Sequence, residues 1–265
     1  MGQGINIQDP TKRFSMGAAF NKNGSSIAIH LIIINVLLWV AGQLLPKIDI
    51  DIYDRFGLHY WLGTDFKPYQ FVTYMFLHDP SSIIHLLCNM FNLYMFGPII
   101  ERTLGRNKFL IYYFVTGVGA GIVQQLAWAY DLNPLTAEIN RIVENGMTIP
   151  IDRGDGVLLR TIGEVTNFAN DVYNSRLTVG ASGAVFGLLL AFGMFYPNQP
   201  LYIMFIPIPI KAKYLVAGYA ILELIFGVNS FSFDNVAHFA HLGGLLFGLI
   251  LILYWKRKKN TGRIG

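Results

Sequence analysis

The sequence is poor in charge and contains a single cysteine. Charged residues make up 14% of the 265-residue chain, whereas a soluble domain carries about 25%, so an ordinary soluble enzyme is not the expected class. Cys88 alone cannot form a disulfide within one chain, which excludes a disulfide-stapled fold. The basic residues lie at segment ends rather than on one face, so the net charge of +4 does not indicate a nucleic-acid partner.

Apolar sequence, in contrast, is abundant: 53% of the residues are hydrophobic. A membrane-spanning helix needs about 20 mostly apolar residues. Six segments meet or nearly meet this length: 26–46, 81–100, 109–130, 179–196, 212–228 and 234–255. A seventh apolar segment, 201–210, is too short to span, and its two prolines favour a re-entrant or interfacial hairpin. We therefore predict an all-α polytopic membrane protein with six transmembrane helices.

The distribution of Lys and Arg predicts the orientation of these helices. Short loops rich in Lys and Arg stay in the cytoplasm, and a cytoplasmic N-terminus puts most of the 20 basic residues inside and most of the 16 acids outside. The chain then divides into a cytoplasmic segment 1–25, a membrane domain 26–255 and a basic cytoplasmic tail 256–265 that can contact anionic lipid. Because 1–25 has no compact apolar run or transit peptide, we expect no cleaved signal and a bacterial plasma membrane.

Two of the predicted outside segments are long. Segment 47–80 mixes aspartates with aromatic residues, a pattern typical of an amphipathic loop at the level of the lipid headgroups. Segment 131–178 is a polar insert between helices three and four. Its apolar positions predict one or two amphipathic helices.

Polar side chains occur at a common depth on the three helices that run inward from the outer face. Helix two carries His85 and Asn89, helix four carries Ser182, and helix six carries His238 and His241. At about 1.5 Å per residue, all of them lie within roughly 4 to 12 Å of the outer surface. Polar groups in hydrocarbon are costly without partners or water, so we expect them to face one another around a cavity that opens outward.

Small residues on helices four and six predict that these helices approach closely. Gly183 and Gly187 form one small-xxx-small pair, and Gly244 and Gly248 form another. Contact between the two pairs would place Ser182 near the histidines of helix six.

Acyl transfer by a serine is the chemistry that needs such a set of residues. Ser182 requires a base to accept its proton, and a neutral histidine is suited to that role. The first backbone N–H groups of helix four, with His85 and Asn89, can donate to an oxyanion. Helices two, four and six carry no acid at this depth apart from Asp234 at the outer lip. The pattern therefore predicts a Ser–His dyad without a carboxylate that orients His241.

These residues resemble the motifs of the rhomboid intramembrane serine proteases. The matching stretches are "GASG" at 180–183, "AHFAHLGGLLFG" at 237–248 and "HLLCN" at 85–89, and the resemblance spans about residues 26–255 in the order of the family. Some members carry a Trp-Arg pair in the first outside loop, where this chain has Tyr69 and Gln70.

The resemblance implies a rhomboid-like bundle that cleaves single-span membrane proteins near the outer end of their helix, without a cofactor. It implies that Ser182 is the nucleophile and His241 the general base. His85 and Asn89 would line the oxyanion hole, and Phe186 would pack beneath the catalytic histidine. Independently of the resemblance, Gly180 would leave room for a substrate backbone, and Gly183, Gly244 and Gly248 would support the close packing of helices. His238 either has a structural role, tunes His241 or faces water.

Several alternatives stay open from the sequence. A pseudoenzyme of the same fold would bind transmembrane clients without cutting, and a transporter would need a polar path through the membrane. A metal site at His85, His238 and His241 is disfavoured because no thiolate or well-placed carboxylate completes it. Glu223 near the outer end of helix five is either functional or reaches toward water. His78 either lines the cavity mouth or is a solvated loop residue.

Overall fold

Six helices correspond to the six predicted segments in the computed structural model, which describes residues 26–145, 151–152, 158–159, 161–202, 209–229 and 237–260. The helices are α1 (Ile27–Leu44), α4 (Ile83–Leu104), α5 (Arg106–Asn145), α7 (Ser182–Phe195), α8 (Ala212–Asn229) and α9 (His238–Asn260). Within the described ranges, four helical segments are long and apolar enough to cross a membrane: Ile27–Ile48, Ile83–Leu104, Arg106–Glu144 and His238–Lys258. α7 is apolar but shorter. The predicted cytoplasmic segment 1–25 and the end of the tail, 261–265, lie outside the described residues.

The ends of these helices follow from local sequence. Ser26 caps α1 by accepting a hydrogen bond from the Ala28 N–H, and it donates to the Glu101 carboxylate on α4. Ser82 caps α4 by accepting from the His85 N–H, which satisfies one of the free donors of the first turn. Gly105 ends α4 with a φ of +82°, a conformation that glycine adopts without strain.

The third membrane helix is longer than predicted. We expected it to end at 130 and a polar insert to begin at 131, but α5 continues without a break to Asn145. The apolar residues of this extension, including Ile139 and Ile142, pack on α6 (Ile162–Asn174) and so remain helical outside the apolar segment. α6 is the second amphipathic helix predicted for the insert, and Thr161 and Glu164 form a capping box at its start.

The fold is mostly helical, as predicted, but the described residues also form three short antiparallel strand pairs that the all-α prediction did not include. β1 (Leu58–His59) pairs with β4 (Leu177–Thr178), β2 (Ile151–Asp152) with β3 (Leu158–Leu159), and β5 (Pro200–Tyr202) with β6 (Pro209–Lys211). The third pair forms the two arms of the predicted hairpin at 201–210, of which 203–208 lie outside the described residues. Strands this short leave no apolar alternation that the sequence could reveal.

The centre of the bundle is formed by α5, α7 and α9, which pack on one another, while α1 packs on α4 and α8 on α9. α7 is almost entirely enclosed, and nine of its residues are buried. Large apolar side chains on the outer helices are exposed instead, among them Leu37, Ile84, Ile221, Leu224, Ile250 and Leu253. This inverse distribution is expected when lipid replaces water around the outer helices.

The first outside loop is held together by the side chain of Gln70, the first residue of the short helix α3 (Gln70–Thr73). Its Oε1 accepts from the N–H groups of His59 (3.3 Å) and Lys67 (3.0 Å). Its Nε2 donates to the carbonyl oxygen of Asp65 at 3.0 Å. The loop also contains α2 (Ile52–Phe56), so the segment expected to be amphipathic is largely folded against the bundle.

Candidate active site

The strand pair β1–β4 holds in place the residues that immediately precede α7. Leu58 pairs with Thr178, and two residues later the Gly180 N–H donates to the Tyr74 carbonyl oxygen at 3.0 Å. Gly180 has a φ of +139°, and a Cβ built there would lie 3.1 Å from His85 Nε2. Only glycine satisfies both the conformation and the space at this position.

Ser182 and His241 are in direct hydrogen-bond contact at the start of α7 and α9. The distance between Ser182 Oγ and His241 Nε2 is 2.8 Å. His241 is buried, whereas Ser182 remains partly exposed. Because α7 begins at Ser182, the first N–H groups of this helix have no acceptor within it.

The ring of Phe186 supports His241 from one side. The two rings are stacked with centroids 4.2 Å apart and an interplanar angle of 12°. Phe186 follows Ser182 by one helical turn, so α7 presents the hydroxyl and the supporting ring on one face. The packing leaves His241 little freedom to rotate away from Ser182.

His85 lies beside Gly180, close to Ser182, and Asn89 follows His85 by one turn of α4. The Asp79 N–H donates to His85 Nδ1 at 3.4 Å, so a neutral His85 carries its proton on Nε2, the atom nearest Gly180. Asn89 is buried, and its Nδ2 donates to the His85 carbonyl oxygen at 2.9 Å. An amide has two N–H donors, so one remains for a substrate oxygen.

The predicted absence of a carboxylate beside the histidine is wrong. Glu223 of α8 turns into the bundle, and its Oε2 lies 2.6 Å from His238 Nδ1 and 2.9 Å from His241 Nδ1. The first contact has hydrogen-bond geometry. The second is short but lies off the direction of the His241 Nδ1–H bond, so it is an electrostatic contact rather than a linear hydrogen bond, and it becomes an ion pair when His241 is protonated. The sequence argument singled out Glu223 as a possible functional residue but did not place it beside the histidines, because it searched for site residues only on the helices that run inward.

The same three side chains form a potential metal-binding group. Their ligand atoms all lie within 4.8 Å of one another, and two histidines with one glutamate are a zinc ligand set of catalytic sites. The structure thus supplies the carboxylate that the sequence argument found missing, while His85 is not part of the group. If a metal bound His241 Nδ1, the ring hydrogen would be on Nε2. That nitrogen could then no longer accept the proton of the Ser182 hydroxyl. Metal binding and general-base catalysis therefore exclude each other at this residue.

The small-residue pairs pack only in part as predicted. Gly183 and Gly244 meet directly and bring α7 against α9. Gly187 instead faces Thr116, and Gly248 faces the Tyr112 hydroxyl, both on α5. The tight packing around Ser182 therefore involves three helices.

His78 is a buried residue, so its interpretation as a solvated loop histidine is wrong. Neither ring nitrogen has a hydrogen-bond partner among the described residues, and its ring centroid lies 5.2 Å from that of His85. Burial, and secondarily the neighbouring His85, lowers the pKa of His78 from 6.5 to about 3. His78 is thus a neutral residue behind the site at ordinary pH.

The chain matches one family model and several known proteins. The rhomboid domain family model matches residues 65–135 and 156–258. The chain is 28% identical to the Arabidopsis thaliana protein named Rhomboid-like protein 11, chloroplastic, over 69% of this chain and 51% of that protein. It is 24% identical to the putative rhomboid protease YdcA of Bacillus subtilis over 88% of this chain and 90% of that protein. It is 31% identical to the rhomboid protease GlpG of Haemophilus influenzae over 37% and 49%, respectively. The chain thus spans about half the length of the Arabidopsis protein.

Proposed function

The chain belongs to the rhomboid family, and from this premise we propose that it is an intramembrane serine endopeptidase. Its substrates are membrane proteins with a single spanning helix, which it cuts near the outer face of the membrane. The observation that carries the proposal is the 2.8 Å contact between Ser182 Oγ and His241 Nε2. Support comes from the names of two relatives, the putative rhomboid protease YdcA and the rhomboid protease GlpG, while other relatives are called only rhomboid-like.

In the proposed reaction Ser182 Oγ attacks a peptide carbonyl while His241 Nε2 accepts its proton. The oxyanion that forms is stabilised by the Ser182 backbone N–H, the His85 Nε2–H and the free Asn89 N–H. His241 then gives the proton to the departing amine, which leaves an acyl group on Ser182. A water molecule activated by the same histidine hydrolyses this ester and restores the free serine. The chemistry requires no cofactor, because each proton moves between substrate, water and these side chains.

The position of the site fits cleavage close to one membrane surface. His85, Ser182 and His241 all lie within the first turns of their helices, α4, α7 and α9, so they share one end of the bundle. With the orientation given by the Lys and Arg distribution, this end faces outward and both termini are cytoplasmic. We place the protein in a bacterial plasma membrane, although some relatives carry chloroplastic or mitochondrial names.

Labelling with a serine-directed fluorophosphonate tests this proposal, together with cleavage of a model single-span substrate in detergent and in lipid. Wild type is expected to be labelled and to cut, whereas Ser182→Ala and His241→Ala do neither. Ser175→Ala is the matched control, because its hydroxyl lies on the exposed end of α6 and donates to the Val172 carbonyl oxygen. If folded wild type neither labels nor cuts but still retains the substrate, the protein is a client-binding pseudoenzyme.

A further inference from the structure

A carboxylate from α8 reaches the back of the proposed catalytic base. Glu223 Oε2 lies 2.9 Å from Nδ1 of His241, whose opposite nitrogen contacts Ser182. α8 can approach this closely because Gly227, one turn beyond Glu223, lies against α9. A Cβ at Gly227 would be 3.3 Å from the Cβ of His238. Small residues permit such close helix approach in membranes, so the packing of α8 on α9 places the acid at His241.

His238 fixes the position of this carboxylate. Its Nδ1 donates to Glu223 Oε2 at 2.6 Å, and its ring stacks on Phe226 with centroids 5.6 Å apart. The side chains of Glu223 and His238 are only 12% and 11% exposed. Burying an ionised carboxylate is costly unless it is paired and hydrogen-bonded. An acid kept at this place, with two histidine nitrogens around one oxygen, therefore has a role beyond reaching water.

We infer that Glu223 is a positioning residue, which holds His241 in the orientation that accepts the Ser182 proton, so that the proposed protease uses a Ser182–His241–Glu223 set. This inference rests on the function proposed above. The carboxylate favours the tautomer of His241 with hydrogen on Nδ1, which leaves the Nε2 lone pair for Ser182. When the Ser182 proton moves to Nε2, His241 becomes a cation and Glu223 stabilises its positive charge while remaining ionised.

The off-line geometry of the His241 contact is compatible with this role. Catalytic hydrogen bonds are often poorly aligned in the absence of substrate and tighten when it binds. Of the residues that the structure describes, the ionisable groups near His241 are Glu223, His238 and, through its electrostatic interaction, His85. Glu223 is the one acid among them, so no other described carboxylate can substitute for it.

Two substitutions of Glu223 test the inference, because one removes the negative charge of the side chain and the other shortens the side chain. Glu223→Gln keeps the size and an acceptor oxygen but removes the charge, whereas Glu223→Asp keeps the charge one methylene farther away. A neighbouring opposite charge typically changes the proton affinity of a group by about 10- to 1000-fold. We expect Glu223→Gln to lower kcat, and the rate of fluorophosphonate labelling, by a factor in that range with KM unchanged. Glu223→Asp should recover part of the loss.

Glu138→Gln is the matched control, because this acid lies on the exposed end of α5 and pairs only with Arg141 among the described residues. Thermal unfolding in detergent shows whether each variant is folded. A merely structural tie between α8 and α9 would lower stability or raise KM, and the isosteric Gln would then retain more activity than Asp. If Glu223→Gln is more active than Glu223→Asp, or if Glu223→Gln has the wild-type kcat, the inference is wrong. The proposed function still holds in either case as long as wild type is active.

A metal at the same residues gives a different result. If EDTA abolishes wild-type activity and added Zn²⁺ restores it, Glu223, His238 and His241 act as ligands and the positioning role is wrong. If EDTA has no effect and Zn²⁺ inhibits, the result supports the inference, because the metal then competes for His241 Nδ1. A wild type that is not labelled under any condition instead contradicts the proposed function itself.

Discussion

Gly244 of α9 lies directly against the backbone of Gly183 on α7. A Cβ built on Gly244 would be 1.9 Å from the Gly183 carbonyl oxygen, a distance that no real side chain tolerates. Gly183 follows the proposed nucleophile, and Gly244 follows the proposed base by three residues. The spacing between these two backbones therefore sets the distance between Ser182 and His241.

Gly244→Ala is expected to separate α7 from α9 and reduce activity strongly. Overpacking of this kind costs about 1–3 kcal/mol of stability, and a displacement of about 1 Å between reacting groups can cost about 10²-fold in rate. Fluorophosphonate labelling and thermal unfolding in detergent measure the two effects. Gly218→Ala on α8 is the control, because a Cβ there has no atom of the described residues within 4 Å. Equal labelling of both variants would show that the Gly244 contact does not position the site.

Asn89→Ala is expected to slow cleavage without abolishing it. Removing one oxyanion donor typically costs about 10²–10³-fold in kcat, and the His85 and Ser182 donors remain. Asn92→Ala is a close control. The Asn92 Nδ2 also donates to the carbonyl oxygen of the residue four positions earlier, Cys88, at 2.8 Å, but this hydrogen bond is exposed and Asn92 is not one of the proposed site residues. Both variants lose one such bond, so only a difference between their kcat values reports on the oxyanion. Equal turnover would remove Asn89 from the proposed hole.

The sequence was sufficient to predict the residues that the structure brings together at Ser182. Three inward-running helices carried polar groups at one depth, and the cost of leaving such groups in hydrocarbon required them to meet. That argument identified Ser182 and His241, which the structure brings into contact, and His85, which lies beside Gly180 and close to Ser182. It also identified Asn89, which is buried one turn from His85 on α4. Their catalytic roles stay predictions that the experiments above test.

The sequence was insufficient where packing decides the outcome. Glu223 lies on an outward-running helix, and its direction depends on the approach of α8 to α9 rather than on any local signal. The end of α5 was misplaced because the apolar run stops near 130, whereas the helix continues by packing on α6. An intramembrane acid with a glycine one turn later was the available signal for Glu223.

Gln70→Ala is expected to loosen the first outside loop. The substitution leaves the buried N–H of His59 and the N–H of Lys67 without their acceptor, and an unsatisfied buried donor costs about 1–3 kcal/mol. Tyr69→Phe removes only an exposed hydroxyl that donates to the Arg55 carbonyl oxygen at 3.2 Å, so it should change stability by about 0.5 kcal/mol or less. Thermal unfolding and limited proteolysis compare the two variants. A loop equally protected in both would contradict the role assigned to Gln70.

His78 is expected to make the folded protein sensitive to acid. Its pKa of about 3 lies below the value of 6.5 for an exposed histidine, so the unfolded chain binds more protons than the folded one between these two values. Above pH 6.5, His78 is neutral in both the folded and the unfolded chain and costs the folded protein no stability. Below pH 6.5, the free energy of unfolding falls by about 1.4 kcal/mol for each pH unit as the pH drops toward 3. His78→Gln removes this titration, so thermal unfolding in detergent should lose less stability between pH 6.5 and 4.5 than in wild type. Identical slopes for the two proteins would show that His78 is not kept neutral by burial.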